Sequence, residues 1–558
     1  MISDLVQTLL HKRGIQDAEE VEKFLNPDFV RDTYDPLLLE GMERAVARIF
    51  AAMAANERIA IYGDFDCDGI PGAAVLYDTF RKIGYENIEV YVPHRDREGY
   101  GFHTGAIDAL AERNVALIIT VDVGTTAVEA VAHAKTRGVD VIITDHHEIQ
   151  DVLPDAVAVI NPKLGDYPFR DLCGAGVAWK LACALLREGR KRGPATFLAI
   201  PDGWEKWLLD LVAIATIADL VPLQGENRAL VHFGLTVLRK SPRRGIRALC
   251  NSTRLRQREL TEDDVAFSFA PRINAASRMG EPELAFKLLT TSDADEAEKL
   301  AAQLESLNRK RRSVVASIVR EAKQRIKARY KDADHVVVLG DTDWKPALMG
   351  LAANSIMEER GGVVCMWGRD ANGNLKGSCR SDGSVSVVEL FARAKESFEE
   401  FGGHHASGGF SISHETVHML PEMLSRAAAE LSEGMRQKEN VEPDAELTLS
   451  QISISFFRDL SRLAPFGVGN PKPVFRVRET VITFARQFGK EMNHTEVTLV
   501  CSESGATHRG FQFFKTPLDF SLPPSPGARA DVLATLERDT FRGPEMLALR
   551  LVDILHAR

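Results

Sequence analysis

"RIAIYGDFDCDGIPGAA", residues 58–74, sets an apolar run ahead of three aspartates, Asp64, Asp66 and Asp68, and then a glycine-marked helix start. Like charges this close repel, and in a partly buried site the repulsion is costly. Either the segment is a solvated turn, or cations sit among the carboxylates. The same layout recurs downstream. "VALIITVD" (115–122) and "VDVIITD" (139–145) also end on acids, with "IEVYVP" (88–93) before them and "AVAVINP" (156–162) after. Amphipathic stretches predict helices at 70–83, 103–113 and 125–137. Apolar strands alternating with such helices make a parallel, doubly wound α/β sheet.

In an open sheet of this kind ligands bind at the carboxyl ends of the strands. Asp64, Asp66, Asp68, Asp122, Asp145, His146 and His147 all fall there. A side-chain period of two predicts that Asp64, Asp66 and Asp68 share one face, with Phe65 and Cys67 on the other. Oxygen donors with one or two imidazoles suit Mg²⁺ or Mn²⁺ rather than a thiophilic metal. So many ligands fit a pair of ions, with one carboxylate bridging at about 3.5–4 Å. Gly69 and Gly72 are expected to let helix-start amides face phosphate, and Cys67 reads as small filler.

Length and composition frame this reading. A chain of 558 residues is too long for one core. The apolar run "WLLDLVAIATIADLVPL" carries Asp210 and Asp219, so it does not read as a membrane span. Seven scattered cysteines without a C-x-x-C pair favour reduced thiols in a cytoplasm. Net charge is −10, yet the run from Arg239 to Arg258 has no acid, and from Arg309 to Lys331 the only one is Glu321. Two basic belts on an acidic protein suggest localised phosphate tracks, or else solvated helix faces.

The organisation expected is a helical segment over 1–50, the sheet domain over 51–240, and a helical connector with the belts over 241–330. Helices are predicted at 174–189, 204–219 and 227–239, and glycine-free 283–330 reads as long helix. A second, smaller α/β domain follows over 331–436, then a charged linker, "RQKENVEPDAE" (436–446). Five or six strands over 445–558 fit a small β-barrel of the OB type. Aromatics that could stack bases are Phe484, Phe488, Phe511, Phe513 and Phe514, beside Arg476, Arg478, Arg486, Lys490 and Arg509. Core packing competes, since alternation would put Phe511 and Phe513 together on a buried face.

The ordered set of motifs resembles the DHH phosphoesterase superfamily, and within it the bacterial single-strand-specific exonucleases. "YGDFDCDG", "VDVGTT", "TDHHE" and "ATIADLVPL" are similar to its four catalytic motifs. "APRINAASRMG", "GSCRS", "FGGHHASGG" and "LAPFGVGNPKPVF" are similar to its later signatures. Cys67 and Ser277 depart from the usual residues without touching a presumed ligand. The resemblance implies two Mn²⁺ or Mg²⁺ ions held by Asp64, Asp66, Asp68, Asp122, His146 and Asp219, with Asp122 as the bridge. It implies His147 facing the scissile phosphate and Asp145 orienting an imidazole. Arg278, Ser378, Arg380 and His404 would hold phosphates near the 5′ end, as arginine forks do.

The activity so implied is 5′-to-3′ hydrolysis of single-stranded DNA to 5′-mononucleotides, in DNA repair and recombination. Belts and barrel would form a channel that admits one strand. The expected state is a cytoplasmic monomer, working with single-strand-binding protein and recombination helicases. The alternative is a DHH phosphoesterase acting on short oligonucleotides or cyclic dinucleotides, whose relatives are shorter and lack a terminal barrel. A catalytically dead scaffold would have lost motif acids, and all are present.

Overall fold

The computed structural model of the chain describes residues 3–331, 334–431, 442–539 and 546–557. Of the stretch expected as a linker, residues 436–441 lie outside the described residues. Two compact units form: the described residues of Met1–Thr33, Pro222–His232 and Asn440–Arg558 make one, and those of Tyr34–Val221 and Phe233–Glu439 the other.

The larger unit holds two sheets. The first contains β1 (Arg58–Gly63), β2 (Ile88–Tyr91), β3 (Val115–Val121), β4 (Asp140–Thr144) and β5 (Ala158–Ile160). All pairings are parallel, in the order β2-β1-β3-β4-β5. Successive side chains alternate between faces. Ala60, Tyr62, Ile118, Val141 and Ile143 pack with helices Thr104–Glu112 and Val128–Thr136. Ile59, Ile61, Leu117, Ile119 and Ile142 are fully buried on the other face, where helices Gly69–Ile83 and Gly174–Arg192 lie. Each such side chain contributes about 1.5–3 kcal/mol by burial. The chain runs from β1 outward to β2, then crosses back to β3, so connections leave neighbouring β1 and β3 in opposite directions. That switch opens a crevice at their carboxyl ends.

The second sheet contains β6 (Val336–Gly340), β7 (Val363–Arg369), β8 (Leu375–Ser381), β9 (Glu400–Gly403) and β10 (Ser407–Ile412), ordered β6-β7-β8-β10-β9. Only β6 and β7 pair in parallel. The connector is not one helix across 283–330. It breaks into Glu283–Thr290 and Ala294–Arg329, because Asp293 caps the second by accepting from the Glu296 amide at 2.8 Å. Likewise 204–219 divides into a 3₁₀ turn, Trp204–Leu208, and helix Leu209–Ala218.

Arg243, read as part of a phosphate belt, is a structural cation. Its Nε lies 3.0 Å from Asp210 Oδ2 and its Nη1 2.5 Å from Asp78 Oδ2. Asp210, fully buried in the first turn of its helix, requires such a partner, and Ser241 Oγ donates a further hydrogen bond to it at 2.6 Å. Arg244, Arg247, Arg254, Arg256 and Arg258 do remain exposed.

The smaller unit holds β11 (Ala445–Thr448), β12 (Phe475–Phe488), β13 (His494–Cys501), β14 (Thr507–Gln512), β15 (Arg529–Arg538) and β16 (Leu547–His556). Neighbours run β12-β13-β14-β16-β15, and β15 pairs back with β12. This closes a five-stranded barrel and removes its open edges. Helices Asp4–Lys12 and Ala18–Leu25 deliver Val6, Leu9, Leu10 and Leu25 to the barrel core, beside Phe475, Val477 and Val532. Segment 222–232 joins through Arg228, which donates to Phe24 O at 3.0 Å and Ala464 O at 2.9 Å. No helix among the described residues is long and apolar enough to cross a membrane, and no disulfide joins any of the seven cysteines, all of which are described.

Candidate metal centre and phosphate site

β1 ends at Gly63, and residues 64–68 form a turn, so the strand alternation expected to align three aspartates does not operate. Helix Gly69–Ile83 starts hard against the strand end: a Cβ on Gly69 would stand 2.5 Å from Asp64 O. Asp66 Oδ1 accepts from the amides of Asp68 at 2.8 Å and Gly69 at 3.1 Å, an aspartate-closed turn. Asn274 Oδ1 takes the Cys67 amide at 3.0 Å. The Gly69 amide is therefore committed to Asp66 and is not offered to phosphate. Gly72 serves packing, since a Cβ there would meet Val121 Cγ1 at 2.6 Å. Phe65 and Cys67 are buried, as filler should be.

Asp122 follows β3 in the left-handed region, φ 63°, a conformation aspartate tolerates better than most residues. Its amide donates to Thr144 O of β4 at 2.9 Å. His146 and His147 follow β4, and Asp219 caps the carboxyl end of helix Leu209–Ala218. These elements converge. His146 Nε2 lies 3.2 Å from Asp122 Oδ1, 3.6 Å from Asp219 Oδ2 and 3.7 Å from Asp68 Oδ2. Three donor groups have ligand atoms within 4.8 Å of one another: Asp64, Asp66 and Asp122; Asp68, His146 and Asp219; Asp122, His146 and His147. Asp68 also accepts from Gly174 N at 2.6 Å and Ala175 N at 2.7 Å, at the positive end of a helix.

Asp145 differs from the rest. Its oxygens accept from His146 N at 2.8 Å, His147 Nδ1 at 2.7 Å and Thr125 N at 2.8 Å. By contrast, Asp64 Oδ1 and Asp122 Oδ1 are buried without a hydrogen-bond partner. Buried carboxylate oxygens left without a hydrogen bond inside one donor group are what a hard cation satisfies, so the donor set fits Mg²⁺ or Mn²⁺.

Burial, then mutual repulsion, raises these acids. Asp68 is pushed up to about 7 and Asp219 to about 9, and Asp64 and Asp122 are also raised well above the ordinary carboxyl range. Burial also opposes the charge of Asp145, but hydrogen bonds from His147 outweigh it and hold that carboxyl low. The exchange keeps His147 raised against its own burial, while burial and the His147 charge bring His146 down to about 4. Raised acids hold protons in the native state that the unfolded chain releases, so stability falls as pH climbs from about 4 towards 9. In EDTA the melting temperature is therefore expected to drop by roughly 5–10 °C between pH 5 and 9. Saturating Mn²⁺ should flatten that slope, a result readable by scanning calorimetry.

A cationic cluster adjoins the acids. Ser378 and Arg380 share the face of β8 opposite buried Cys379. Arg380 lies against helix Pro346–Arg360, where a Cβ on Gly350 would stand 2.7 Å from its Nη2. Arg278 Nη1 donates to Ala347 O of that helix at 2.6 Å. Burial, then the charges of Arg95 and Arg311, bring Arg278 down to about 9, with Asp66 opposing and Arg380 adding to the fall. Mutually repelling guanidinium groups call for an anion. His404 stands in the exposed turn between β9 and β10, where its field reaches Glu148. In "GGHHASGG", Gly403 and Gly408 admit close contact within that hairpin and with helix Val387–Arg393.

Sequence reasoning missed Arg95, stacked 4.7 Å over the Phe65 ring, and Tyr100, whose hydroxyl is 3.2 Å from His147 Nδ1. Both lie on the loop after β2. The strand-end rule applied to β1, β3 and β4 would have found them had it been carried to β2 as well.

On the barrel, none of Phe484, Phe488, Phe511, Phe513 and Phe514 is buried, which overturns the core reading of Phe511 and Phe513. Phe514 is 77% exposed. Phe488, Phe513 and Phe514 surround His494 at centroid distances of 4.9–5.2 Å for Phe514, Phe488 and Phe513. Four of the flanking arginines are ion-paired: Arg476 with Asp531, Arg478 with Glu446, and both Arg486 and Arg509 with Glu496. Arg550, which the sequence did not single out, covers Phe513 at 4.5 Å and Phe511 at 5.1 Å.

Profiles of three domain families match in chain order: the DHH family N-terminal domain over 58–216, the DHHA1 domain over 333–433, and the RecJ OB domain over 443–553. Fold and site thus define a DHH phosphoesterase, a metal-dependent nuclease hydrolase. The single-stranded-DNA-specific exonuclease RecJ of Bacillus subtilis is 35% identical over 559 residues, spanning 99% of this chain and 68% of that protein. RecJ of Haemophilus influenzae is 30% identical over 562 residues, spanning 99% and 96%. The crystal structure of Thermus thermophilus RecJ in complex with Mn²⁺ superposes with TM-score 0.82 at 27% identity, covering all of this chain and 76% of that one. The chain belongs to the RecJ family of single-stranded-DNA-specific exonucleases.

Proposed function

We propose that the chain removes 5′-mononucleotides from single-stranded DNA in the 5′-to-3′ direction by two-ion hydrolysis, in repair and recombination. The observation that carries this reading is the adjacency of the acid cluster to the arginines. Asp66 lies within the electrostatic reach of both Arg95 and Arg278. A terminal 5′-phosphate held by Arg95, Arg278, Ser378 and Arg380 would set the next phosphodiester against the aspartates, a one-nucleotide register. Mn²⁺ or Mg²⁺ held by Asp64, Asp66, Asp68, Asp122, His146 and Asp219 would supply Lewis acidity at the phosphoryl group and a more acidic water.

His147, oriented through Nδ1 by Asp145, presents its remaining ring nitrogen to hold or donate a proton at a phosphate or leaving oxygen. Arg278 and Arg380 neutralise phosphate charge bidentately. The exposed aromatics of the barrel, with Arg550, offer base-stacking surface.

The test uses 5′- and 3′-labelled oligonucleotides, single- and double-stranded, with Mn²⁺. Early mononucleotide release from the 5′ label on single strands only is expected. Cleavage confined to di- to pentamers would transfer the reading to a short-oligonucleotide phosphodiesterase. Arg380→Ala should raise KM for a 5′-phosphorylated strand about 10–100-fold, the loss of a charged hydrogen bond of about 1.5–3 kcal/mol. The same variant should change KM little on a 5′-hydroxyl strand.

A further inference from the structure

We infer that Asn274 is a positioning residue that holds the turn carrying Asp66 and Asp68 in its cation-binding shape. This rests on the two-ion reading above. Within the turn, Asp66 Oδ1 already serves the amides of Asp68 and Gly69. The Cys67 amide lies between the two ligating positions, on a residue only 2% exposed, and its partner comes from outside: Asn274 Oδ1 at 3.0 Å. A buried amide must be bonded. Without that acceptor the turn can satisfy the amide only by rotating the peptides on either side of Cys67. Asp66 and Asp68 would then move, and they belong to different donor groups.

The acceptor also sits on a strut. Asn274 and Arg278 are one turn apart on helix Ala270–Arg278, on one face. The first touches the donor turn, and the second donates to Ala347 O of the helix that packs against Arg380. One rigid element thus spaces the carboxylates from the arginines, and residues that orient ligands tune metal affinity strongly.

The decisive experiment compares Mn²⁺ binding by titration calorimetry in the full chain and two variants. Asn274→Leu keeps the shape and removes the acceptor, and should weaken Mn²⁺ binding about 10–100-fold. Asn274→Asp keeps an acceptor oxygen and should stay within about threefold of the parent. Hydrogen–deuterium exchange of the peptide spanning 64–70 should be faster in the leucine variant alone, and kcat should recover at saturating Mn²⁺. Asn274→Ala replaces the leucine variant if that protein does not fold. Parental Mn²⁺ affinity in the leucine or alanine variant, or an aspartate variant as weak as they are, overturns the inference. No Mn²⁺ uptake by the parent chain overturns the two-ion reading itself.

Discussion

Asp122→Ala is expected to lower kcat by about 10³-fold or more, the equivalent of losing several kcal/mol of transition-state stabilisation. Asp122 belongs to two of the three donor groups, so its loss breaks both of those at once and leaves only Asp68, His146 and Asp219 complete. Its backbone makes the position hard to replace. The residue sits at φ 63° immediately after β3, so its carboxylate points into the crevice from a bend rather than along the strand. A second readout has the opposite sign. Removing a buried carboxyl whose charge is opposed by burial and by Asp68, Asp66, Asp64 and Asp219 relieves the ion-free protein. In EDTA above neutral pH the variant should therefore melt higher than the parent, while Mn²⁺ raises its melting temperature less. Loss of activity with a lower melting temperature would mean instead that Asp122 mainly supports folding.

His147→Ala is expected to reduce kcat by about 10²–10⁴-fold, the range of a lost general acid or base, with KM and Mn²⁺ uptake near those of the parent. His147 belongs to only one donor group and is 40% exposed along its side chain. It is also bound to a carboxylate that is itself saturated with donors. That is the arrangement of an oriented imidazole rather than of an enclosed ligand. Single-turnover cleavage of a labelled strand separates the possibilities. A fall in Mn²⁺ affinity matching the fall in rate would make His147 a ligand instead.

The strand-end acids were legible because three separate runs repeat one pattern, and the parallel sheet forces their carboxyl ends onto one rim. How they converge was not legible. Local alternation cannot reveal that β1 stops at Gly63 and that Asp66 closes a turn, because the cause is the contact of Gly69 with the Asp64 backbone. The break at Asp293 was written in a capping residue that helical periodicity hid. Arg243 shows the opposite failure. In sequence it is one cation of a belt, yet in the fold it neutralises Asp210 and Asp78, each far away along the chain. The barrel aromatics illustrate a third limit. Alternation in "FQFF" assigned Phe511 and Phe513 to one face correctly in kind, but which face is buried depends on the closure of β15 onto β12. Arg278, Ser378 and Arg380 were reached only through resemblance, since nothing local distinguishes them from ordinary surface arginines and serines.

On the two-ion reading, carboxylates that follow β1, β3 and helix Leu209–Ala218 share a pair of divalent ions with the His146 imidazole after β4. Counting Mn²⁺ bound per chain at pH 8, by equilibrium dialysis against increasing concentrations, tests it most directly. Uptake of two ions, falling below two in Asp122→Ala, is expected; saturation at none, or uptake indifferent to that substitution, would overturn it.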